Sequence, residues 1–71
     1  MTLTREEAKL LVILADAMLQ RSAYVACDGK DRPIAHALDK KGLATWMGES
    51  WGSKFWAITE KGLLEAENHR K

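Results

Sequence analysis

The residue types that carry out catalysis or bind metal ions are sparse in this 71-residue chain. The two histidines, His36 and His69, have no carboxylate at a spacing that suggests a catalytic dyad. Cys27 and two dispersed histidines do not match a zinc site, because zinc ligands come in pairs at short fixed spacings. The five glycines fall at turns and helix ends, outside any phosphate-binding loop. We therefore expect that the protein is not an enzyme and that it binds no cofactor, metal ion or small-molecule substrate. We expect Cys27 to be a buried thiol.

A cationic stripe is the clearer pattern. Arg32, His36 and Lys40 recur every four residues, which places them on one side of a helix. An exposed helix of this kind can enter the major groove of duplex DNA while a basic hairpin contacts the flanking phosphates. The alternative is an ordinary solvated helix face, because three aspartates within residues 28–39 offset most of the positive charge. Three further lysines extend the candidate DNA- or partner-binding surface: Lys30, Lys41 and Lys54.

Aromatic residues are concentrated between residues 46 and 56. Trp56 is expected in the core, and Trp46 is expected to pack on it or on the first helix. Trp51 stands in a loop with glycine and serine, where a large apolar ring either anchors a partner or packs back across the base of a hairpin. Tryptophan is enriched at interface hot spots and also stacks on bases and sugars. Trp51 is therefore a further candidate contact for a partner.

The length and composition predict one domain over residues 1–71. With 46% hydrophobic and 30% charged residues the chain is typical of soluble globular proteins, and its net charge of +1 is only a weak hint of nucleic-acid binding. So short a chain buries only about 60% of the surface that its unfolded form exposes. A homodimer or another partner would therefore help to stabilise the fold. The single cysteine, the short apolar runs and the lack of a signal peptide predict a cytoplasmic protein without membrane contact.

Capping and turn signals divide the chain. Thr4 and Glu7 form a capping box, and Gly42 is placed to end a later helix. Residues 22–31 are ambiguous: a strand that adds to the following hairpin is favoured, and one short helical turn is the alternative. The complete prediction is an α+β fold with helix 4–21, strand 23–27, helix 32–41, hairpin strands 43–47 and 54–58 around a loop at 48–53, and helix 60–69. This order of elements resembles that of a winged-helix domain.

Two short motifs resemble those of winged-helix regulators. Residues 37–43, ALDKKGL, resemble the end of a recognition helix. Residues 58–62, ITEKG, resemble the segment that closes the wing in MarR-like and PadR-like proteins and in many small phage-encoded proteins. Together the motifs cover residues 32–66 and imply that helix 32–41 reads a DNA groove, with the 48–54 loop as the wing tip.

The resemblance implies two functions. The first is a small, dimeric winged-helix protein that binds duplex DNA as a transcriptional regulator. The second is a phage-encoded, protein-binding inhibitor of a host system, either anti-CRISPR-like or transcription-modulating, because this shape also serves as a protein-interaction module. The chain departs from the family at residues 22–31, which lack the helix that normally braces the recognition helix.

Overall fold

A computed structural model describes residues 3–21 and 24–70 and confirms an α+β fold, with three helices and one three-stranded antiparallel sheet. In the described ranges, no helix has both the length and the apolar composition that crossing a bilayer requires. In chain order the elements are α1 (Arg5–Leu19), β1 (Val25–Ala26), α2 (Asp31–Lys40), β2 (Ala44–Ser50), β3 (Ser53–Ile58) and α3 (Glu60–Arg70).

Helix α1 begins at the predicted capping box. The Thr4 hydroxyl accepts a hydrogen bond from the Glu7 amide at 3.1 Å, and the Glu7 carboxylate accepts one from the Thr4 amide at 2.8 Å. These two bonds satisfy amides that the first helical turn leaves without partners. The helix ends at Leu19, earlier than the predicted residue 21, because Arg21 takes a left-handed backbone conformation with φ 68°.

The ambiguous segment forms the favoured strand. β1 pairs antiparallel with β3, with Val25 opposite Trp56 and Ala26 opposite Phe55. It is shorter than the predicted 23–27, and Ala23 lies outside the described residues. In the sheet order β1-β3-β2, the hairpin's second strand is therefore the central one.

The hairpin pairs as predicted, but the predicted loop over residues 48–53 is wrong. The strands continue to Ser50 and Ser53, so the turn contains only two residues. A β-bulge at Met47 shifts the register, because Trp46 lies opposite Trp56 whereas Gly48 lies opposite Phe55. Because of this extra residue, the alternation of side chains between the two faces of β2 is interrupted at Met47.

The core lies between the helices and one face of the sheet. Trp56 is its largest fully buried side chain. Gly42 ends α2 with φ 77°, as predicted. A side chain on Gly62 of α3 would overlap the carbonyl oxygen of Leu43, so the glycine permits α3 to lie directly against the start of β2. The buried apolar residues are Leu10, Leu11, Leu14, Ala15, Cys27, Ala35, Leu38, Leu43, Ala44, Trp56, Ile58 and Ala66.

Candidate partner-binding surface

Trp51 stands at the tip of the hairpin and is 100% exposed. The alternative in which it packs back across the hairpin base is therefore wrong. Trp51 and Gly52 form the turn with φ values of 54° and 77°. Two positive values are the mark of a type I′ turn, whose twist matches that of the flanking strands. A bulky side chain rarely adopts positive φ, so the turn holds this tryptophan in a strained conformation.

Three more large side chains lie beside Trp51 on the outer face of the sheet, the face turned away from the helices. The Tyr24 and Phe55 rings meet edge to face, with centroids 5.2 Å apart and planes at 78°. Met47, at the bulge, is half exposed. Together these residues line a groove of about 400 Å³, which we call the aromatic groove. Its lining residues are Tyr24, Met47, Gly48, Glu49, Ser50, Trp51 and Phe55.

Strand register explains why these residues meet. Ala26 lies opposite Phe55, so Ala26 and Phe55 share a face, and Tyr24, two residues before Ala26, lies on the same face. Trp56, the next residue along β3, points to the other face and into the core. The single strand β3 therefore sends one aromatic ring to the interior and one to the groove.

The inner face holds Trp56 and the middle of α2. The Trp56 indole N–H donates to the Asp39 carboxylate at 3.4 Å. The His36 ring meets the Trp56 ring edge to face at a centroid distance of 5.0 Å. Trp46 lies opposite Trp56 across the strands and remains 54% exposed at the open edge of the sheet. His36, predicted as a groove-reading residue, is thus also a packing partner of the core tryptophan.

The predicted cationic stripe is only partly available for a ligand. Arg32 pairs with Asp28 at 3.7 Å, one turn earlier in the chain. Lys30 and Lys40 are exposed near the two ends of α2. Lys30 also lines a cleft between α1 and α2 that contains acidic as well as basic side chains.

Lys41 is engaged within the fold. Its ammonium donates to the Glu7 carboxylate at 2.7 Å, and Glu7 is buried. This hydrogen bond, together with the bond from the Thr4 amide, lowers the pKa of Glu7 below its ordinary value of 4.5. The pair joins the first turn of α1 to the end of α2. Lys41 therefore has a structural role that the sequence pattern did not indicate.

Lys54, the predicted basic residue of the hairpin, lies directly opposite Glu49. The two opposite charges leave this part of the hairpin nearly neutral. A wing that contacts phosphates needs unbalanced positive charge. Lys54 thus adds little to a cationic surface in this arrangement.

Cys27 is buried, as predicted. Burial, with the nearby carboxylates of Asp31 and Asp28, raises the pKa of its thiol to about 11. A thiol with so high a pKa is a poor nucleophile at neutral pH. Within residues 3–21 and 24–69, no group of three His, Cys, Asp or Glu side chains is placed to hold a metal ion.

Sequence reasoning identified Trp51 but missed the rest of the aromatic groove. Phe55 lies on the face of β3 opposite Trp56, as the alternation of side chains along a strand requires. Tyr24 could have been assigned to the groove only with the register of β1 against β3. Met47 and Glu49 depend on the bulge and on the two-residue turn, which the sequence did not indicate.

No protein-family model, no curated protein sequence and no solved structure matches this chain.

Proposed function

We propose that this protein is a protein-interaction module that holds a partner protein in its aromatic groove. The observation that carries the proposal is the fully exposed Trp51, held in a left-handed conformation beside Tyr24, Met47 and Phe55. Strained residues persist where the surrounding structure enforces them, and they cluster at functional sites. Large apolar side chains grouped on a surface are typical of interfaces.

The chemistry of the groove supports a protein partner. Tryptophan and tyrosine are among the residues most enriched at interface hot spots, and methionine adapts its shape to a partner. The turn fixes the backbone of Trp51 before binding, so the side-chain torsions of the tryptophan are what association has to order. An inhibitor of a host protein, which the phage-like motifs suggest, would use a surface of this kind.

Selection of binders from a random peptide library tests the proposal while the partner is still unidentified. We expect peptides whose affinity falls at least about tenfold when Trp51→Ala is introduced, the loss typical of a hot spot. Trp46→Ala is the matched control, since Trp46 is also exposed but lies on the other face of the sheet. Recovered peptides that bind the Trp51→Ala variant as well as the wild type would refute the proposed site.

Duplex DNA binding as a winged-helix regulator is the second candidate function. It is favoured by Lys30, His36 and Lys40, which are exposed along α2. The order of the elements is compatible with a winged-helix fold: helix, strand, helix, hairpin, helix. Residues 24–30 form β1 and a turn, where a winged helix has its bracing helix.

The balance of charges makes DNA binding the less favoured of the two candidate functions. Arg32 is paired with Asp28, and Lys41 with Glu7. The hairpin contributes one lysine, opposite a glutamate. Duplex DNA offers one negative charge about every 1.7 Å, and affinity for it comes chiefly from unbalanced cationic side chains.

Salt dependence separates the two functions. If α2 binds DNA, Lys30→Ala and Lys40→Ala should each lower the salt slope of the affinity by about one. Unchanged slopes in both variants would exclude α2 as a phosphate-binding helix. Trp51→Ala should leave DNA binding by α2 unchanged, so the same set of variants assigns each surface its ligand.

A further inference from the structure

We infer that a second copy of this chain docks on the cleft between α1 and α2 and forms a dimer with two-fold symmetry. This inference goes beyond the proposed function, because the cleft shares no lining residue with the aromatic groove. The cleft has a volume of about 460 Å³ and is lined by three apolar and four charged residues. The charge pattern and the shape of its two ends identify the occupant.

The start of α1 lies beside the end of α2. The Lys41 ammonium, just after α2, donates to the carboxylate of Glu7 in the first turn of α1. The ten residues of α2 separate Lys41 from Lys30, a distance of about 15 Å along the helix. Glu6, the neighbour of Glu7, therefore lies at one end of the cleft. Lys30 lies at the other end, together with Ile13 from the middle of α1.

The cleft has an apolar projection at one end and an apolar hollow at the other. Ile13 is 46% exposed, although its side chain is apolar. At the opposite end, beside Glu6, a hollow of about 300 Å³ has an apolar lining from Pro33, Ile34 and Ala37. A two-fold axis through the middle of the cleft exchanges its two ends. Ile13 of each copy would then enter the hollow of the other, which is the self-complementarity that a symmetric dimer interface requires.

The charged side chains of the cleft are self-complementary in the same way. They are exposed and comprise two acids and two bases: Glu6, Asp31, Lys9 and Lys30. None of the four forms an ion pair with another side chain that the structure describes. The two-fold axis brings Glu6 of one copy to Lys30 of the other, and this pair occurs twice in the dimer. A partner of one charge sign would meet like charges here, whereas a second copy matches both signs.

The composition of the cleft is that of an interface. Leu10 and Ile34 lie between its two ends, so apolar side chains occupy the centre and charged side chains the rim. A chain of 71 residues has a small core, because so much of its surface stays exposed after folding. Burial of Ile13 against a second copy would add apolar contact that a single copy lacks.

Sedimentation equilibrium at increasing protein concentration tests the dimer. The apparent mass of the wild type should rise from 8.0 kDa toward twice that value. Ile13→Glu would place a carboxylate in the apolar hollow and should weaken dimerisation at least about tenfold. Trp51→Ala is the control and should leave dimerisation unchanged. A wild-type mass that stays at 8.0 kDa up to about 1 mM protein would overturn the inference.

Two charge-reversal variants test the two-fold arrangement. Glu6→Lys would oppose two positive charges across the axis, and Lys30→Glu would oppose two negative ones. Each variant alone should therefore dimerise at least about threefold more weakly than the wild type. An equimolar mixture should recover the wild-type affinity, because both pairs across the axis are again of opposite sign. Glu60→Lys is the matched control, since Glu60 is an exposed glutamate in the first turn of α3 and lies outside the cleft.

Circular dichroism establishes that each variant is folded, and Glu6→Gln, which removes the charge without reversing it, should weaken dimerisation by a smaller factor than Glu6→Lys. If the mixture of folded charge-reversal variants dimerises no better than either alone, the two-fold arrangement is wrong. If Trp51→Ala abolishes dimerisation and Ile13→Glu does not, the second copy occupies the aromatic groove, which also overturns the inference.

Discussion

Trp56 and Trp51 belong to one hairpin, five residues apart, and have opposite environments. Trp56 is 0% exposed and bonds to Asp39 of α2, whereas Trp51 is 100% exposed at a strained turn. The first ring is surrounded by the core, and the second adds nothing to it. The buried ring contributes to stability on the inner face, and we propose that the exposed ring binds a partner on the outer face. Substitutions on the two faces should therefore have separable effects.

The largest effect is expected for Trp56→Ala. Removing a buried tryptophan leaves a cavity and should cost about 3–5 kcal/mol of unfolding free energy. Urea denaturation measures this loss. Trp51→Ala is the control, and it should change the unfolding free energy by no more than about 0.5 kcal/mol. Similar losses of unfolding free energy in the two variants would show that the two faces of the sheet do not differ in their contribution to stability.

Gly62→Ala tests the close packing of α3 on the inner side. The added methyl group would overlap the Leu43 carbonyl, so we expect a loss of about 1–3 kcal/mol. An exposed helical site would behave in the opposite way, since Gly→Ala normally stabilises a helix by about 1 kcal/mol. A fall in the thermal midpoint would therefore support the close packing of α3, and a rise would contradict it.

Glu7→Gln tests the ion pair that joins α1 to α2. The pKa of Glu7 is lowered in the folded protein by its bonds to Lys41 and the Thr4 amide. The stability that the pair contributes is thus present above the ordinary value of 4.5 and is lost as pH falls through the lowered folded pKa. At neutral pH the variant should lose about 1 kcal/mol.

Unfolding measured between pH 7 and pH 2 provides the check for this pair. The difference between wild type and Glu7→Gln should shrink as the pH falls through the folded pKa of Glu7. A constant difference over that range would show that the carboxylate charge does not contribute.

Trp51→Asn is the smallest expected change and the most informative about the outer face. Asparagine tolerates positive φ, and Asn-Gly is the preferred sequence of a type I′ turn. The variant should gain about 0.5 kcal/mol, which raises the thermal midpoint by a few degrees. It should also lose peptide binding. A gain in stability with binding retained would mean that the strained tryptophan has no role in docking.

The sequence predicts those parts of the fold that depend on local signals. The capping box at Thr4 and the stop at Gly42 each rest on a few neighbouring residues, and both occur as expected. Pairing of the hairpin strands also followed, because apolar residues bounded by turn signals indicate strands. Gly62 was recognised only as part of a motif, and its contact with Leu43 explains why a glycine stands there.

The parts that were missed depend on pairing between distant segments. Trp-Gly lacks the usual sequence signal of a type I′ turn, so the hairpin was expected to open into a loop. The bulge at Met47 also has no local signal, yet it determines which residues face the groove. Lys41 was assigned to a binding surface because its partner, Glu7, lies 34 residues away in the chain.

The bulge at Met47 has a consequence for behaviour at high concentration. β2 is an edge strand, and a straight edge with exposed tryptophan and methionine would template growth of a fibril. Trp46 and Gly48, which would share a face in a regular strand, here lie opposite residues that point to different faces. A neighbouring molecule therefore cannot continue the ladder along the whole strand with its side chains in phase, which disfavours growth of a polymer from this edge.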